Sequence, residues 1–487
     1  MKRSAGVLMN ISSLPSPYGI GTFGKSARLF CDFLAAGGFS VWQVLPLGTL
    51  DQGFSPYASD GAFAGNPLYI DPELLYQEGL ITRKELDSAL YTGSPYTVDY
   101  VWLTENRNAL LKNAYHHASP ALKEAAQEYA KKSGWIEDYA LFRACKDTNT
   151  GKPIPYAEAI SHRADYEKAA SVYAFIQYLF EKQWASLKAY ANTLGIQILG
   201  DIPVYLAAGS FEVWAHPEQF LLDERHNPTK VAGVPPDYFS EDGQLWGNPI
   251  YNWEAMKQDG FRFWINRIKR ALSLYDMVRI DHFRGLASYW AIPADAKSAK
   301  EGAFEKGPGM DLFNALFAEC PNPNIIAEDL GVFGEDVVEL LRDTGFPGMR
   351  VVQFGFLGGE SSHLPHNYPE NAVAYTGTHD NNTLLGWLWE LTPEERQFLF
   401  DYMGYHGNFA EGGYDAPCVR AVIEMVWRTH AALAILPFQD MCGFGKDTRM
   451  NIPGVPEANW RYRATQEVID GVDLNYFQKI NRLFGRA

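Results

Sequence analysis

Ile198-Leu199-Gly200-Asp201, Val278-Arg279-Ile280-Asp281, Ile325-Ile326-Ala327-Glu328 and Tyr375-Thr376-Gly377-Thr378-His379-Asp380 share one design: a short run that reads as a buried strand and ends on an acid. Acids at the C-terminal tips of parallel strands converge on one face of a β/α barrel, the face where such barrels do their chemistry. Working outward from these runs, eight strands are expected, at about 6–10, 41–45, 197–201, 277–281, 324–328, 350–354, 372–376 and 432–438. Each is a short apolar run bounded by turn residues. Between most of them lie stretches with apolar residues at helical spacing, such as 173–194, 261–274, 334–342 and 418–428. Alternating strands and helices imply parallel pairing through crossovers. Eight such units fit a closed (β/α)8 TIM barrel better than a doubly wound sheet. The first βα turn has no GxGxxG, and Gly19-Ile20-Gly21 does not supply one.

Two connections are too long for simple crossovers. The expectation is a single catalytic barrel over 1–487 that carries a mostly helical inserted subdomain at 51–172 and a Pro-, Gly-, Tyr- and Trp-rich segment at 205–260. Long loops on this face of a barrel build or cover the site.

The composition narrows the partners. A net charge of −16 with no run of five or more Lys/Arg argues against nucleic acid, because neutralising phosphates takes clustered cations. A neutral substrate fits better. Aromatic residues make up 14% of the chain, a share that suits both a large core and a surface for the flat apolar faces of sugar rings. The five cysteines are far apart and form no CxxC pair, as expected of free thiols in a reducing compartment. There is no signal-peptide core after Met1 and no run of apolar residues long enough for a membrane span. The reading is a soluble cytoplasmic protein without a membrane partner.

The acids admit a specific chemistry. Cleaving a glycosidic bond with retention needs one carboxylate to attack the anomeric carbon and one carboxylic acid to protonate the leaving oxygen. Asp281 and Glu328, on adjacent expected strands, are placed for this, and Asp380 could hold substrate hydroxyls or share charge with the transition state. Neighbouring strand residues face opposite ways, so only one of Asp281 and His282, and one of Glu328 and Asp329, enters the pocket. Arg279 shares the face of Asp281 and could keep it ionised, while the Asp281 charge would keep Glu328 protonated. An acid at a strand tip can also be a helix cap or an ion-pair partner, and Asp201 and Asp329 fit that role best. A metal centre is the rival chemistry, with His282 and His379 as ligands. Against it, Asn10-Ile11-Ser12 stands where an HxH would open the first strand, no HExxH occurs, and each of these histidines adjoins an acid. No metal or organic cofactor is expected.

Longer motifs now identify a family. Ser13-Leu14-Pro15, Trp42-Gln43-Val44-Leu45-Pro46-Leu47, Ser55-Pro56-Tyr57, Gly65-Asn66-Pro67, Gly200-Asp201-Ile202-Pro203, Gly233-Val234-Pro235-Pro236-Asp237, Gln244-Leu245-Trp246-Gly247-Asn248-Pro249, Arg279-Ile280-Asp281-His282-Phe283-Arg284-Gly285, Ala327-Glu328-Asp329-Leu330-Gly331, Thr378-His379-Asp380-Asn381 and Asn459-Trp460-Arg461 stand in one order along the chain. In these the sequence closely resembles the amylomaltases, or disproportionating 4-α-glucanotransferases, of glycoside hydrolase family 77. The resemblance implies a retaining transferase with Asp281 as nucleophile, Glu328 as acid/base and Asp380 as transition-state stabiliser. It places Arg279 and His379 around the donor sugar and makes Ser55, Tyr57, Gln244, Trp246 and Asn451 substrate contacts. The implied partners are maltooligosaccharides and α-1,4-glucans (maltodextrin, starch, glycogen), with glucose as acceptor and no cofactor; oligomeric state is not implied. An α-glucan hydrolase on the same scaffold is the alternative. Tyr238, Phe239, Trp246, Tyr251 and Trp253 are the expected aromatic cover that favours a sugar acceptor over water. Glu212 stands where the family more often has Asp, and Phe304 where Trp is expected. The chain stops soon after the eighth strand, so no C-terminal β-sandwich domain is expected.

Overall fold

The structure, a computed structural model, describes residues 1–50, 53–149, 151–236, 241–331, 334–455 and 458–487; Tyr238 and Phe239 of the expected aromatic cover lie outside them. Twelve strands lie among the described residues: β1 Ser4–Leu8, β2 Val41–Gln43, β3 Gln197–Ile202, β4 Lys230–Val234, β5 Gln244–Pro249, β6 Met277–Ile280, β7 Ser288–Pro293, β8 Ala303–Lys306, β9 Ile325–Ala327, β10 Gly348–Val351, β11 Ala372–Tyr375 and β12 Leu433–Pro437. Eight of them, all where the sequence predicts strands, form one parallel sheet in the order β10-β11-β12-β1-β2-β3-β6-β9. With helices packed outside, this is the (β/α)8 barrel.

Strand alternation divides each barrel strand between two cores. Leu8, Val41, Leu199, Met277, Ile326, Met349, Val351, Val373, Tyr375, Leu433 and Ile435 fill the lumen. The opposite phase, including Ile198, Ile202, Val278, Ile280 and Ala327, packs under the helices. Counting by twos from Leu199, Met277 and Ile326 sends Asp201, Arg279, Asp281 and Glu328 into the barrel mouth. Asp329 takes the other phase.

The two ends of the sheet order meet at a seam stitched largely by side chains. Ala327 N–H donates to Pro347 O at 3.0 Å. Beyond it, the buried Asp329 carboxylate accepts Met349 N–H at 2.6 Å and Arg350 Nη1 at 2.9 Å, and His363 Nδ1 accepts Val351 N–H at 3.1 Å. These bonds give the backbone donors of β10 the partners that a neighbouring strand supplies elsewhere.

The long connections hold structure of two kinds. Between β2 and β3 lie the helices Pro72–Gln77, Arg83–Ser88, Tyr100–His117, Pro120–Ser133, Ile136–Thr148 and Tyr156–Ser161, and then Arg163–Thr193, which returns to the barrel. The segment 205–260 contains β4 and β5, which join β7 and β8 in an antiparallel sheet ordered β5-β4-β7-β8. Tyr251 and Trp253 belong to the core rather than to a cover: Tyr251 is 1% exposed and its hydroxyl donates to Val204 O at 2.8 Å. Among the described residues no helix is long and apolar enough to cross a membrane.

Candidate active site

A cleft of about 740 Å³ opens at the C-terminal ends of the barrel strands, lined by Asp281, Glu328 and Asp380 together with Ser55, Tyr57, Gln244, Trp246, His379 and Asn451. Residues from six separate parts of the chain thus meet at one place. Arg279 is the sequence-derived site residue that does not line it. Its side chain is 3% exposed and lies beneath Asp281. It donates from Nε and Nη2 to Asp201 (3.0 and 2.7 Å), and from Nη2 to Asp281 Oδ1 (2.8 Å) and Tyr57 Oη (3.1 Å). Asp201 and Arg279 are register partners across β3 and β6, so the ladder itself sets this pair. The Tyr57 hydroxyl donates to Asp201 Oδ2 at 2.6 Å and closes the network.

The acids next to this network sit in unlike surroundings. Burial pushes Asp281 up to about 6, with Arg279 pulling against it and Asp201 and Asp380 adding to it. Burial, and then the charge of Asp281, push Glu328 to about 8 against the pull of Arg279. Both acids are thus raised, Glu328 the more strongly, which favours the proton on Glu328 and the charge on Asp281, the split that separates a nucleophile from an acid. Glu328 also accepts two backbone amides, His282 N–H at 2.7 Å and Leu330 N–H at 2.8 Å, which will steady its carboxylate once the proton has gone. His282 reaches this position with a left-handed backbone, φ 47°. His282 therefore gives the site its amide, while its ring lies edge-on to Trp246, centroids 4.9 Å apart. Burial, reinforced by Arg284, holds that ring down to about 3.

Asp380 is the ionised outer acid. Burial works to raise it, but His379 Nε2 at 3.3 Å and Asn451 Nδ2 at 2.6 Å overcome that and hold it down at about 2. The His379 ring stacks on Tyr57, centroids 5.0 Å and planes 14° apart. Trp460 completes this cluster, 5.6 Å from Tyr57 and 5.8 Å from His379. Trp460 was not singled out as a site residue from the sequence, although its motif was; its φ of 65° is unusual for a bulky side chain and marks a constrained position. Also lining the cleft, Trp246 Nε1 donates to Gln244 Oε1 at 3.1 Å. Among the described residues no group of three or more His, Cys, Asp and Glu side chains is arranged to hold a metal ion. Phe304 stands 46% exposed on β8, with the Arg284 guanidinium 4.6 Å from its ring centroid.

Comparison with known proteins places these features in a group. Residues 9–468 match the family described as 4-alpha-glucanotransferase. The chain is 44% identical to the 4-alpha-glucanotransferase of Thermus thermophilus, over 95% of each chain. It is 41% identical to that of Clostridium butyricum, over 98% of this chain and 100% of the relative. Its fold superposes on the amylomaltase from Streptococcus agalactiae in complex with acarbose with a TM-score of 0.95, at 38% identity and with full coverage of both chains.

Proposed function

The chain belongs to the 4-alpha-glucanotransferase family, glycoside hydrolase family 77, and from that premise we propose how its cleft moves glucan segments. The enzyme is a transferase that passes part of an α-1,4-glucan from donor to acceptor. Asp281 attacks the anomeric carbon at the scissile bond while Glu328 gives its proton to the departing 4-oxygen. The glucosidic C–O bond breaks as the Asp281–C1 bond forms. Glu328, now ionised and held by the His282 and Leu330 amides, takes the proton from an incoming 4-hydroxyl as that oxygen displaces Asp281. Each displacement inverts C1 once, and the two inversions together retain the α-linkage.

The observation that carries this reading is that Asp281 and Glu328 line one cleft in different settings, Asp281 against the Arg279 guanidinium and Glu328 on the His282 and Leu330 amides. Asp380, ionised and open to the cleft, faces the positive charge that develops at the sugar ring. Ser55, Tyr57, Gln244, Trp246, His379 and Asn451 are the substrate contacts. Trp246 and the Tyr57/His379/Trp460 cluster, all lining the cleft, give an acceptor sugar apolar faces to stack on. Water gains nothing there, which favours transfer over hydrolysis. The donors are maltooligosaccharides and longer α-1,4-glucans such as maltodextrin, starch and glycogen, and glucose serves as an acceptor.

Pure protein incubated with maltotriose should yield a ladder of shorter and longer chains with no net gain in reducing ends; steady release of reducing ends would identify a hydrolase instead. Asp281→Asn and Glu328→Gln should each lower turnover by roughly 10²-fold or more. Retention of the native rate in either variant would overturn the assignment.

A further inference from the structure

Asp440 is a buried acid that the reaction above does not use. It lies on the short helix Phe438–Met441 that follows β12, 1% exposed. Its two oxygens reach the two ends of one loop: Oδ2 accepts the Thr376 hydroxyl at 2.6 Å, directly after β11, and Oδ1 accepts Leu384 N–H at 2.7 Å, at the start of the helix Leu384–Glu390. Between those ends runs the loop that carries His379 and Asp380. A second buried side chain crosses the same neck, Gln353 Nε2 donating to Thr376 O at 3.1 Å and to Asn382 O at 2.9 Å. The tip is folded on itself, with Asn381 Oδ1 accepting the Thr378 N–H and hydroxyl at 2.9 and 2.8 Å. Asp440 and Gln353 thus tie the neck of the loop to the barrel, while its tip is held separately, Arg449 Nη2 donating to Asp380 O at 2.9 Å and Asn451 N–H to His379 O at 3.1 Å. With the tip held on one side, the neck is the other end from which the Asp380 carboxylate is placed.

We propose that Asp440 is a positioning residue for Asp380: by joining both ends of loop 376–384 it fixes where that carboxylate stands relative to the reacting sugar. The inference rests on the reading of Asp380 as the acid that stabilises the transition state.

The test is a double-mutant cycle on turnover of maltotriose, measured well below the unfolding temperature of every variant. Asp440→Ala should lower kcat on the order of 10- to 100-fold, the scale expected when a catalytic group is displaced by about an ångström. Asp440→Asn should recover most of that loss, because its side-chain oxygen still accepts Leu384 N–H and the Thr376 hydroxyl can turn to accept from the new amide. In an Asp380→Ala background the Asp440→Ala substitution should cost almost nothing further, since the carboxylate it positions is gone. If the two losses multiply, Asp440 acts on the fold in general and the proposal is wrong; an unchanged kcat in Asp440→Ala also overturns it. A native rate in Asp380→Ala alone would instead refute the reading of Asp380 itself. Should Asp440→Ala fail to fold, Thr376→Val breaks one end of the clamp and carries the same cycle.

Discussion

At the scale of single residues, the reacting groups were legible because they combine an acidic side chain with a strand phase. Asp281 and Glu328 follow their lumen-facing neighbours by twos, and Arg279 shares that phase, so sequence alone sends all three into the barrel mouth. The rest of the Arg279 network was not legible: its hydroxyl partner Tyr57 lies 222 positions away, and nothing local marks the contact. The position of Arg279 beneath Asp281 makes it an electrostatic support, which leads to a pH prediction. Catalysis requires Asp281 ionised and Glu328 protonated, so kcat/KM should follow a bell with limbs near 6 and 8, apparent values that belong to the pair. Replacing Arg279 by Lys keeps a charge but loses the fork that serves Asp201, Asp281 and Tyr57 together. Burial and Asp201 then act on Asp281 with less opposition, so the acid limb should move to higher pH and narrow the bell. A pH–rate profile of Arg279→Lys with the acid limb unmoved or lowered would refute this.

At the scale of elements, the barrel strands were readable because each is a short, continuous apolar run. The sheet β5-β4-β7-β8 was not: β5 is half-exposed, β8 is mostly exposed, and their partners lie on either side of β6 in the sequence. Residues 205–260 consequently read as loop, although Lys230–Val234 and Gln244–Pro249 within them are paired strands. The loop that bears Ser55 and Tyr57 has an anchor of another kind. Glu212, on the helix Phe211–Ala215, is 1% exposed and accepts Ala62 N–H at 2.8 Å. Glu212 therefore serves the fold, holding that loop through its carboxylate. Burial pushes Glu212 up to about 7 against the Ala62 bond, with Asp60 also raising it and Arg267 lowering it. The sign follows from linkage: between the unfolded value of about 4.5 and 7 the folded chain holds a proton that the unfolded chain releases, so this group costs stability as pH rises through that window. Glu212→Gln keeps the acceptor and cannot ionise. Its melting temperature relative to the native protein should therefore be higher at pH 8 than at pH 5, by a few degrees; thermal unfolding at the two pH values with an identical difference would argue against a buried titrating Glu212.

At the scale of the whole molecule, eight alternating strand and helix units along the sequence say that a barrel forms but not where its ends meet. Closure depends on contacts between β9, β10 and the segment beyond them, and it is made by Asp329 and His363 rather than by a run of matched strand residues. That arrangement explains the pair Glu328-Asp329: one acid faces the cleft, and its neighbour, in the opposite phase, fastens the seam at the same level. Of the cleft acids, Asp281 is joined to a buried acid through a shared cation, Asp201 by way of Arg279. Because the seam uses a histidine as acceptor, it carries its own pH dependence. His363 accepts Val351 N–H only while Nδ1 is unprotonated, and burial, aided by Arg350, holds the ring down to about 4. Between the unfolded value of about 6.5 and 4 the unfolded chain binds a proton that the folded chain refuses. The contribution of this group is therefore complete above 6.5 and is lost as pH falls through that window. His363→Asn places an oxygen acceptor near the same point without a titrating ring. Other ionising groups are common to both proteins, so the difference between their melting curves isolates the seam. The native protein should lose more melting temperature than His363→Asn on going from pH 7 to pH 4.5, and parallel curves across that range would show that the seam does not sense protonation of His363.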